Sequence, residues 1–436
     1  MNEVKIIGGG LAGCEAAWYL ANHGVKVKLY EMRPKKMTPA HHTDKLAELV
    51  CSNSFRSNEM TNAAGVLKEE MRMLSSIIIK KAEENSVPAG AALAVDREKF
   101  SNAVTYEIEN HPNIEVIREE VSEIPDSPAV IASGPLTSEG LSEALMRLLG
   151  SEYLYFYDAA APIITADSID WSIAFWGSRY GKGDEDYVNL PMTKEEYYDF
   201  YNELIHAEVV ELKEFEKPQY FEGCMPIEVM AKRGPQTLLF GPLKPVGIIN
   251  PRTGEQPFAV VQLRKENKEG TLFNLVGFQT SLKWPEQKRV FGKIPGLKDP
   301  EFIRYGFIHR NTFILSPKFL NSTLELKIKK GIFFAGQITG VEGYIESAAS
   351  GIVAGINTLR RLEGLEPLVF PKETIIGALL NYISTADTKN FQPMKANFGI
   401  LPPLNEKIKN KKLKYEKMAK RSIEVLEKFI EENHLF

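Results

Sequence analysis

The chain of 436 residues is 44% hydrophobic and 25% charged, with a formal net charge of −4, which is typical of a globular protein with two or three domains. Its three cysteines lack CxxC spacing, which argues against a disulfide scaffold or a structural metal site. The first predicted strand begins at Val4 and no apolar run reaches membrane-spanning length, so we expect a cytoplasmic protein without a signal peptide.

A βαβ unit opens the chain. Residues 4–7 predict a strand, the helix after it runs to about His23, and a second strand ends at Glu31. The turn between strand and helix, GGGLAG at residues 8–13, contains the GxGxxG pattern. A strand, a helix and a terminal acid at this spacing predict a Rossmann-like dinucleotide site, without distinguishing FAD from NAD.

The glycine turn supplies the predicted phosphate contacts. Gly8 permits the tight turn, Gly10 lets the backbone approach the pyrophosphate, and Gly13 lets the helix pack closely on the strand. The helix N-terminus faces the phosphate charge, and we expect Glu31 to bind the ribose hydroxyls. The turn residues predicted to bind the cofactor are Gly8, Gly9, Gly10, Leu11, Ala12 and Gly13.

Two later segments indicate FAD. Residues 127–138 join a short apolar strand to Ser-Gly-Pro, and residues 329–362 predict a strand, a glycine turn and a long helix with a face of small residues. Flavoproteins of the glutathione-reductase type close their FAD site with two such segments, although the second could also be an ordinary βα unit. The further cofactor contacts that we predict are Gly134, Gly336, Gln337, Gly343 and Tyr344.

The segment between these pieces extends the first domain. The pattern predicts helices near 65–84 and 97–109 and strands at 114–117, 121–124 and 129–132. In flavoproteins of this class such a three-stranded excursion lies over the adenine. We therefore expect the backbone of Val121 to contact the base.

From about Asp158 the sequence changes to mixed strands and loops rich in Gly, Pro and aromatic residues. A helix at 194–206 and strands at 258–263 and 272–276 are predicted there, and the tail from Thr374 is predicted to be largely helical. The predicted fold is α/β, with a discontinuous glutathione-reductase-type FAD-binding Rossmann-like domain (1–157 and 300–436) and an inserted smaller α/β domain (158–299).

Two cysteines lie in polar runs. Cys51 begins CSNSFRS and Cys224 lies in GCMPIEVMA, and a thiol there is hard to explain by packing alone. A reactive thiol needs partial exposure and cationic or hydrogen-bonding neighbours, and both runs offer some of these. Cys14, at the start of the first helix, faces the sheet and is interpreted as structural. Two candidate thiols beside a redox cofactor indicate chemistry on a covalently held substrate.

Residues 405–421 form a basic segment, with eight Lys or Arg against two Glu. Such a run is usually the solvated face of a helix, but it can also neutralise phosphates. Other basic candidates are scattered in sequence: Lys35, Lys36, Arg56, Lys283, Lys288 and Arg289.

Together these motifs resemble the folate- and FAD-dependent tRNA uracil-5-methyltransferases, the TrmFO family. The similarity runs through nearly the whole chain, in GGGLAGCEAA, CSNSFRS, VDREKF, GCMPIEVMA, RYGFIHRNTFI, FFAGQITGVEGYIESAASG and ANFGILPPL. The FFAGQITG run is also similar to the sister family that installs carboxymethylaminomethyl groups on wobble uridines, but chains of that family are longer.

The resemblance implies formation of 5-methyluridine at position 54 in the T loop of tRNA. It also implies that 5,10-methylenetetrahydrofolate donates the carbon and that FAD, reduced by NADPH or NADH, supplies the electrons. Uracil C5 is a poor nucleophile, and addition of a thiolate at C6 makes it enolate-like. By position we assign Cys224 as this nucleophile and Cys51 as a flavin-proximal acid/base or shielding residue, with the reverse assignment open. His309 resembles the residue of the family that stacks on the folate pterin.

Two other functions fit part of the pattern. A flavin-dependent oxidoreductase acting on a small metabolite would use the two cysteines as a redox pair, with the basic segment as plain surface. A nucleic-acid-binding flavoprotein without catalysis would leave the reactive-looking thiols unexplained. Binding of undermodified tRNA separates the oxidoreductase from the other two functions, and turnover separates the methyltransferase from the non-catalytic protein.

Overall fold

The computed structural model describes residues 3–150, 153–181, 186–210, 225–297, 299–389 and 391–435. Within these ranges the strands are β1 (Glu3–Ile7), β2 (Lys26–Tyr30), β3 (Ser54–Ser57), β4 (Ser86–Val87), β5 (Ala92–Val95), β6 (Ile114–Ile117), β7 (Ala129–Ile131), β8 (Tyr153–Ala160), β9 (Ile163–Thr165), β10 (Phe175–Trp176), β11 (Tyr187–Met192), β12 (Ala259–Lys265), β13 (Leu272–Leu275), β14 (Phe302–Arg304), β15 (Phe307–Ile314) and β16 (Ile332–Phe334). The α-helices are α1 (Leu11–Asn22), α2 (Ala63–Met73), α3 (Ile77–Glu84), α4 (Arg97–Glu109), α5 (Glu139–Leu149), α6 (Lys194–His206), α7 (Ile227–Ala231), α8 (Trp284–Phe291), α9 (Ser316–Phe319), α10 (Tyr344–Leu362), α11 (Ile375–Thr385) and α12 (Lys411–Asn433).

Five parallel strands in the order β16-β7-β1-β2-β6 form the central sheet of the first domain. Strands β7 and β16 are apolar and buried on both faces, as expected of a parallel sheet covered by helices, and Val4, Val130 and Phe333 are fully buried. The strand order reverses between β1 and β7, and ligands of such sheets bind in the crevice beyond the carboxyl ends at this point. The predicted α/β Rossmann-like class is confirmed.

Helix α10 packs directly on α1 because glycines remove the side chains between them. A Cβ atom added to Gly351 would lie 2.2 Å from the Ala12 carbonyl oxygen, and one added to Gly355 would lie 3.2 Å from the Ala16 Cα. The small-residue face predicted for this helix therefore makes a close helix–helix contact.

A second, antiparallel sheet of six strands, in the order β10-β11-β12-β13-β9-β14, has a hydrophobic core of its own. The predicted helix at 194–206 and the strands near 258–263 and 272–276 correspond to α6, β12 and β13. Strand β14 pairs with β9 of this sheet, and β8 pairs with β15 as a separate ribbon. The predicted domain boundaries stay a prediction.

The helix predicted near 65–84 is two helices, α2 and α3. Ser75 between them has a φ of +57°, and the Ser76 hydroxyl caps α3 by accepting the Ile79 N–H at 3.1 Å. Glu15 of α1, which is buried, accepts the Ile77 and Ile78 N–H groups at 3.2 and 3.1 Å. A carboxylate from another helix thus occupies the start of α3, which sequence periodicity cannot reveal.

The prediction of a strand at 121–124 is wrong, and with it the three-stranded excursion. Strands β6 and β7, at 114–117 and near 129–132, belong to the parallel sheet, and the segment between them has no regular structure. Pro125 and Pro128 border the apolar residues of this segment and cannot donate ladder hydrogen bonds. Val121 instead lines a cavity.

The C-terminal tail is helical, as predicted, and Glu70 of α2 fastens it to the first domain. Its carboxylate accepts the Ile375 and Ile376 N–H groups of α11 at 2.7 and 2.9 Å, and the Ser422 hydroxyl of α12 at 2.5 Å. Along the described part of the chain, no helix is both long and apolar enough to cross a membrane.

Candidate functional site

A cavity partly open to solvent lies beyond the carboxyl ends of β1 and β7. Most of the predicted cofactor residues line it: Gly8, Gly10, Leu11, Ala12, Glu31, Val121, Gly134, Gly336, Gln337 and Tyr344. Gly9, Gly13 and Gly343 are not part of the lining. The sheet therefore brings segments far apart in sequence to one crevice.

The glycines of this cavity fit a dinucleotide. A Cβ atom added to Gly10 or Gly134 would meet no protein atom within 4 Å, so both positions leave space that opens on the cavity. At Gly13, by contrast, a Cβ would lie 1.8 Å from the Gly8 carbonyl oxygen, so this glycine serves the tight turn. No side chain caps the N-terminus of α1, which leaves its N–H groups for a pyrophosphate.

Glu31 lies on the cavity wall with a carboxylate that already accepts four N–H groups. One is the Gly9 amide, at 3.1 Å, and three belong to Arg33, at 2.9 to 3.1 Å. Burial disfavours the ionised form of Glu31, but the hydrogen bonds and charge of Arg33 outweigh it and lower the pKa of Glu31. The carboxylate therefore stays charged and holds the glycine turn. Its predicted contact with ribose requires sharing these oxygens and stays a prediction.

The loop that carries Cys51 is fastened to the cavity wall by Tyr344. The Cys51 and Ser52 N–H groups donate to the Tyr344 hydroxyl oxygen at 2.8 and 3.1 Å. Burial, and then the nearby Cys51, raise the pKa of Tyr344 well above its usual value, so the phenol stays neutral. Val50 lines the cavity and Cys51 is half-buried next to it. A thiol is thus placed at the edge of the cofactor cavity.

Two arginines hold the backbone of the same loop. Arg304 of β14 donates to the Val50 and Cys51 carbonyl oxygens at 3.3 and 3.0 Å. Arg97 of α4 donates to the Leu49 carbonyl oxygen. Burial, and then the charge of Arg97, lower the pKa of Arg304 to about 10, so the guanidinium remains positive at neutral pH. Positive charge beside a thiol favours its thiolate.

Strand β12 of the antiparallel sheet also contacts this loop through Asn53. The Asn53 amide donates to the Lys265 carbonyl oxygen at 3.0 Å and accepts from the Arg264 Nε at 3.0 Å. Glu266, from the same segment, accepts the Arg97 Nε at 2.5 Å. The position of Cys51 therefore depends on both domains.

The other two cysteines and His309 have different outcomes. Cys14 is fully buried, and burial together with Glu15 and Glu31 raises the pKa of its thiol, which agrees with a structural role. Cys224 lies outside the described residues. His309 lies on β15, where its backbone pairs with Asp158, but its side chain is outside the description. The roles of Cys224 and His309 stay predictions.

Sequence reasoning missed the arginines around the Cys51 loop. Arg97 lies in VDREKF and Arg304 begins RYGFIHRNTFI, so both were inside recognised motifs without a role of their own. Arg33 and Arg264 lie in no such motif. The sequence offered one signal. A buried carboxylate at Glu31 needs a positively charged partner, and Arg33 is that partner.

The comparisons with known proteins agree on the class. The family described as "Glucose inhibited division protein A" matches residues 3–366. A protein of Natranaerobius thermophilus named "Methylenetetrahydrofolate--tRNA-(uracil-5-)-methyltransferase TrmFO" is 63% identical over 98% of this chain and 99% of its own. The protein of the same name from Halalkalibacterium halodurans is 61% identical over 98% of both chains. The solved structure of Aquifex aeolicus GidA (form I) has a TM-score of 0.71 at 19% identity, over 97% of this chain and 76% of that one, and shows the fold alone.

Proposed function

We propose a function from the premise that this chain belongs to the TrmFO family of methylenetetrahydrofolate–tRNA (uracil-5-)-methyltransferases within the GidA group. It transfers a one-carbon unit from methylenetetrahydrofolate to C5 of a uridine in tRNA, which we assign to position 54 of the T loop. The 63% and 61% sequence identity to relatives of this name favours tRNA methylation over redox chemistry on a small metabolite. The cytoplasm, where tRNA is modified in bacteria, is the proposed location.

The placement of Cys51 at the edge of the dinucleotide cavity carries this proposal. The open positions at Gly10 and Gly134 fit FAD, with the pyrophosphate at the start of α1 and the remaining lining, including Gln337 and Tyr344, around the rest of the cofactor. When bound, FAD supplies the electrons that complete the methyl group, and NADPH or NADH restores them.

The protein's own residues handle the uracil. In the proposed mechanism, the Cys224 sulfur adds to C6 of the base, which makes C5 nucleophilic enough to accept the one-carbon unit. In this proposal Cys51, whose backbone is held by Tyr344 and Arg304, removes the C5 proton. Loss of that proton lets tetrahydrofolate leave the transferred carbon. Once the carbon has been reduced to a methyl group, elimination of the Cys224 sulfur from C6 restores the C5–C6 double bond.

Product analysis tests the function directly. Purified protein is incubated with unmodified tRNA, methylenetetrahydrofolate and NADPH, and the tRNA is then digested to nucleosides. We expect 5-methyluridine only when all three substrates are present. Flavin-dependent NADPH oxidation without any modified nucleoside would instead support the small-metabolite oxidoreductase.

His309 provides a test of the folate site. We expect His309→Ala to raise the concentration of methylenetetrahydrofolate needed for half-maximal rate by roughly 5- to 10-fold, because an aromatic ring no longer stacks on the pterin. His206 at the end of α6 is exposed, so His206→Ala is the control. The flavin spectrum of both variants should be unchanged, and an unaltered folate dependence in His309→Ala would reduce this residue to a structural one.

The basic segment at residues 405–421 includes the first half of α12. Lys411, Lys412 and Lys414 lie in its first turn and are exposed. If they contact tRNA phosphates, changing all three to Glu should weaken binding. The slope of log affinity against log salt concentration should also become shallower, by roughly one unit for each phosphate that the protein no longer neutralises.

The control for this triple variant changes the scattered exposed residues Lys80, Lys194 and Lys330 to Glu, which makes the same change in net charge elsewhere on the surface. Binding is measured from low to physiological salt. Equal slopes for the two triple variants would mean that the start of α12 is only a solvated face.

A further inference from the structure

Three stacked aromatic rings lead from the core of the inserted domain to its surface. Phe291 is fully buried and packs on Phe302, with ring centroids 6.5 Å apart. Tyr305 stacks on Phe302 at 4.8 Å with an angle of 20° between the planes, and Trp284 stacks on Tyr305 at 5.2 Å and 12°. Trp284, the outermost ring, is 62% exposed. The stack thus presents a rigid indole to solvent.

This stack is attached to the Cys51 loop. Tyr305 follows Arg304, whose guanidinium donates to the Cys51 carbonyl oxygen at 3.0 Å. Helix α8, which begins at Trp284, is fastened to the same segment because the Gln287 side chain makes two hydrogen bonds with the Gly306 backbone, at 2.7 and 2.8 Å. The exposed indole is therefore held in place near the reactive loop.

A lysine lies one helical turn from the indole. Lys288 is exposed and follows Trp284 by four residues on α8, so both side chains are on one helical face. Within the described part of the chain, Lys288 forms no ion pair, whereas the adjoining Arg289 pairs with Glu203 and Glu286. A flat aromatic surface with an available ammonium matches the two parts of a nucleotide, its base and its phosphate.

We propose that Trp284 stacks against an unpaired base of the bound tRNA and that Lys288 contacts the phosphate next to it. This inference rests on the proposed function, because that function makes tRNA the substrate. Single-stranded RNA loops are read in this way, by bases that splay out onto aromatic side chains. The stack then holds the loop close to Cys51, at the edge of the cofactor cavity, where the target uridine reacts.

Binding of a T-loop hairpin RNA to the full-length flavin-loaded protein tests the proposal. We expect Trp284→Ala to weaken binding by roughly 5- to 100-fold and Trp284→Phe to weaken it much less, because a smaller ring still stacks. The salt slope should be unchanged in both, since neither variant alters a group that contacts phosphate. Lys288→Gln should instead lower the slope by roughly one unit.

Trp171 provides the matched control, because it is 44% exposed and also stacks on a neighbouring ring, Trp176, at 5.7 Å. Trp171→Ala should leave RNA affinity and methylation unchanged. Equal affinities for Trp284→Ala and Trp171→Ala, with wild type still methylating tRNA, would overturn the stacking proposal and leave the proposed function intact. Failure of the wild type to bind or methylate the RNA would overturn both.

Discussion

Cys51→Ala and Cys224→Ala should each lower the rate of 5-methyluridine formation by roughly 10³-fold or more, because each removes a group that takes part in covalent chemistry or proton transfer. The structure strengthens this expectation for Cys51, whose backbone is fixed by Tyr344 and Arg304 at the edge of the cavity. Nucleoside analysis of tRNA after reaction measures the loss. Full activity in either variant would remove that cysteine from the mechanism.

Cys14→Ala is the matched control for the thiols. Cys14 is fully buried and its Sγ lies 3.5 Å from the Gly9 carbonyl oxygen, so the change should lower stability by about 1 kcal/mol and leave activity intact. The roles of Cys51 and Cys224 are distinguished by trapping a covalent adduct between RNA and the protein. A covalent RNA adduct that Cys51→Ala retains and Cys224→Ala lacks would identify Cys224 as the nucleophile, and the opposite pattern would reverse the assignment.

Gly10→Val should yield a folded, colourless protein. The backbone φ of Gly10 is −79°, which valine readily adopts, and a Cβ there meets no protein atom within 4 Å. The added methyl groups instead occupy the space where the pyrophosphate would approach. Flavin absorbance of the purified protein measures the loss, and thermal unfolding compared with flavin-stripped wild type checks the fold.

Gly10→Ala provides a graded comparison, because it adds one carbon at the same place. We expect intermediate flavin content, and full methylation activity once excess FAD is supplied. A valine variant that keeps the full flavin spectrum would contradict the assignment of this cavity to FAD.

Local sequence patterns were enough to predict the βαβ unit at the cofactor cavity and several helices away from it. The βαβ unit, α4, α6 and the helical tail could be predicted because periodicity and glycine spacing act within a few turns of chain. The split between α2 and α3 could not, because the carboxylate at the start of α3 comes from Glu15 of another helix. The residues at 121–124 pair with no strand of the described sheets, and Pro125 follows them directly.

By itself, the sequence determined the class of fold, the family and the thiols worth testing, because these depend on motifs whose residues are close together along the chain. Only the tertiary structure decided which charges surround them. Arg97 and Arg304 are separated by the whole inserted domain, yet they hold consecutive carbonyl groups of the Cys51 loop. Their convergence depends on how helix α4 and strand β14 pack against one loop, and no short-range pattern in a single chain records such a contact.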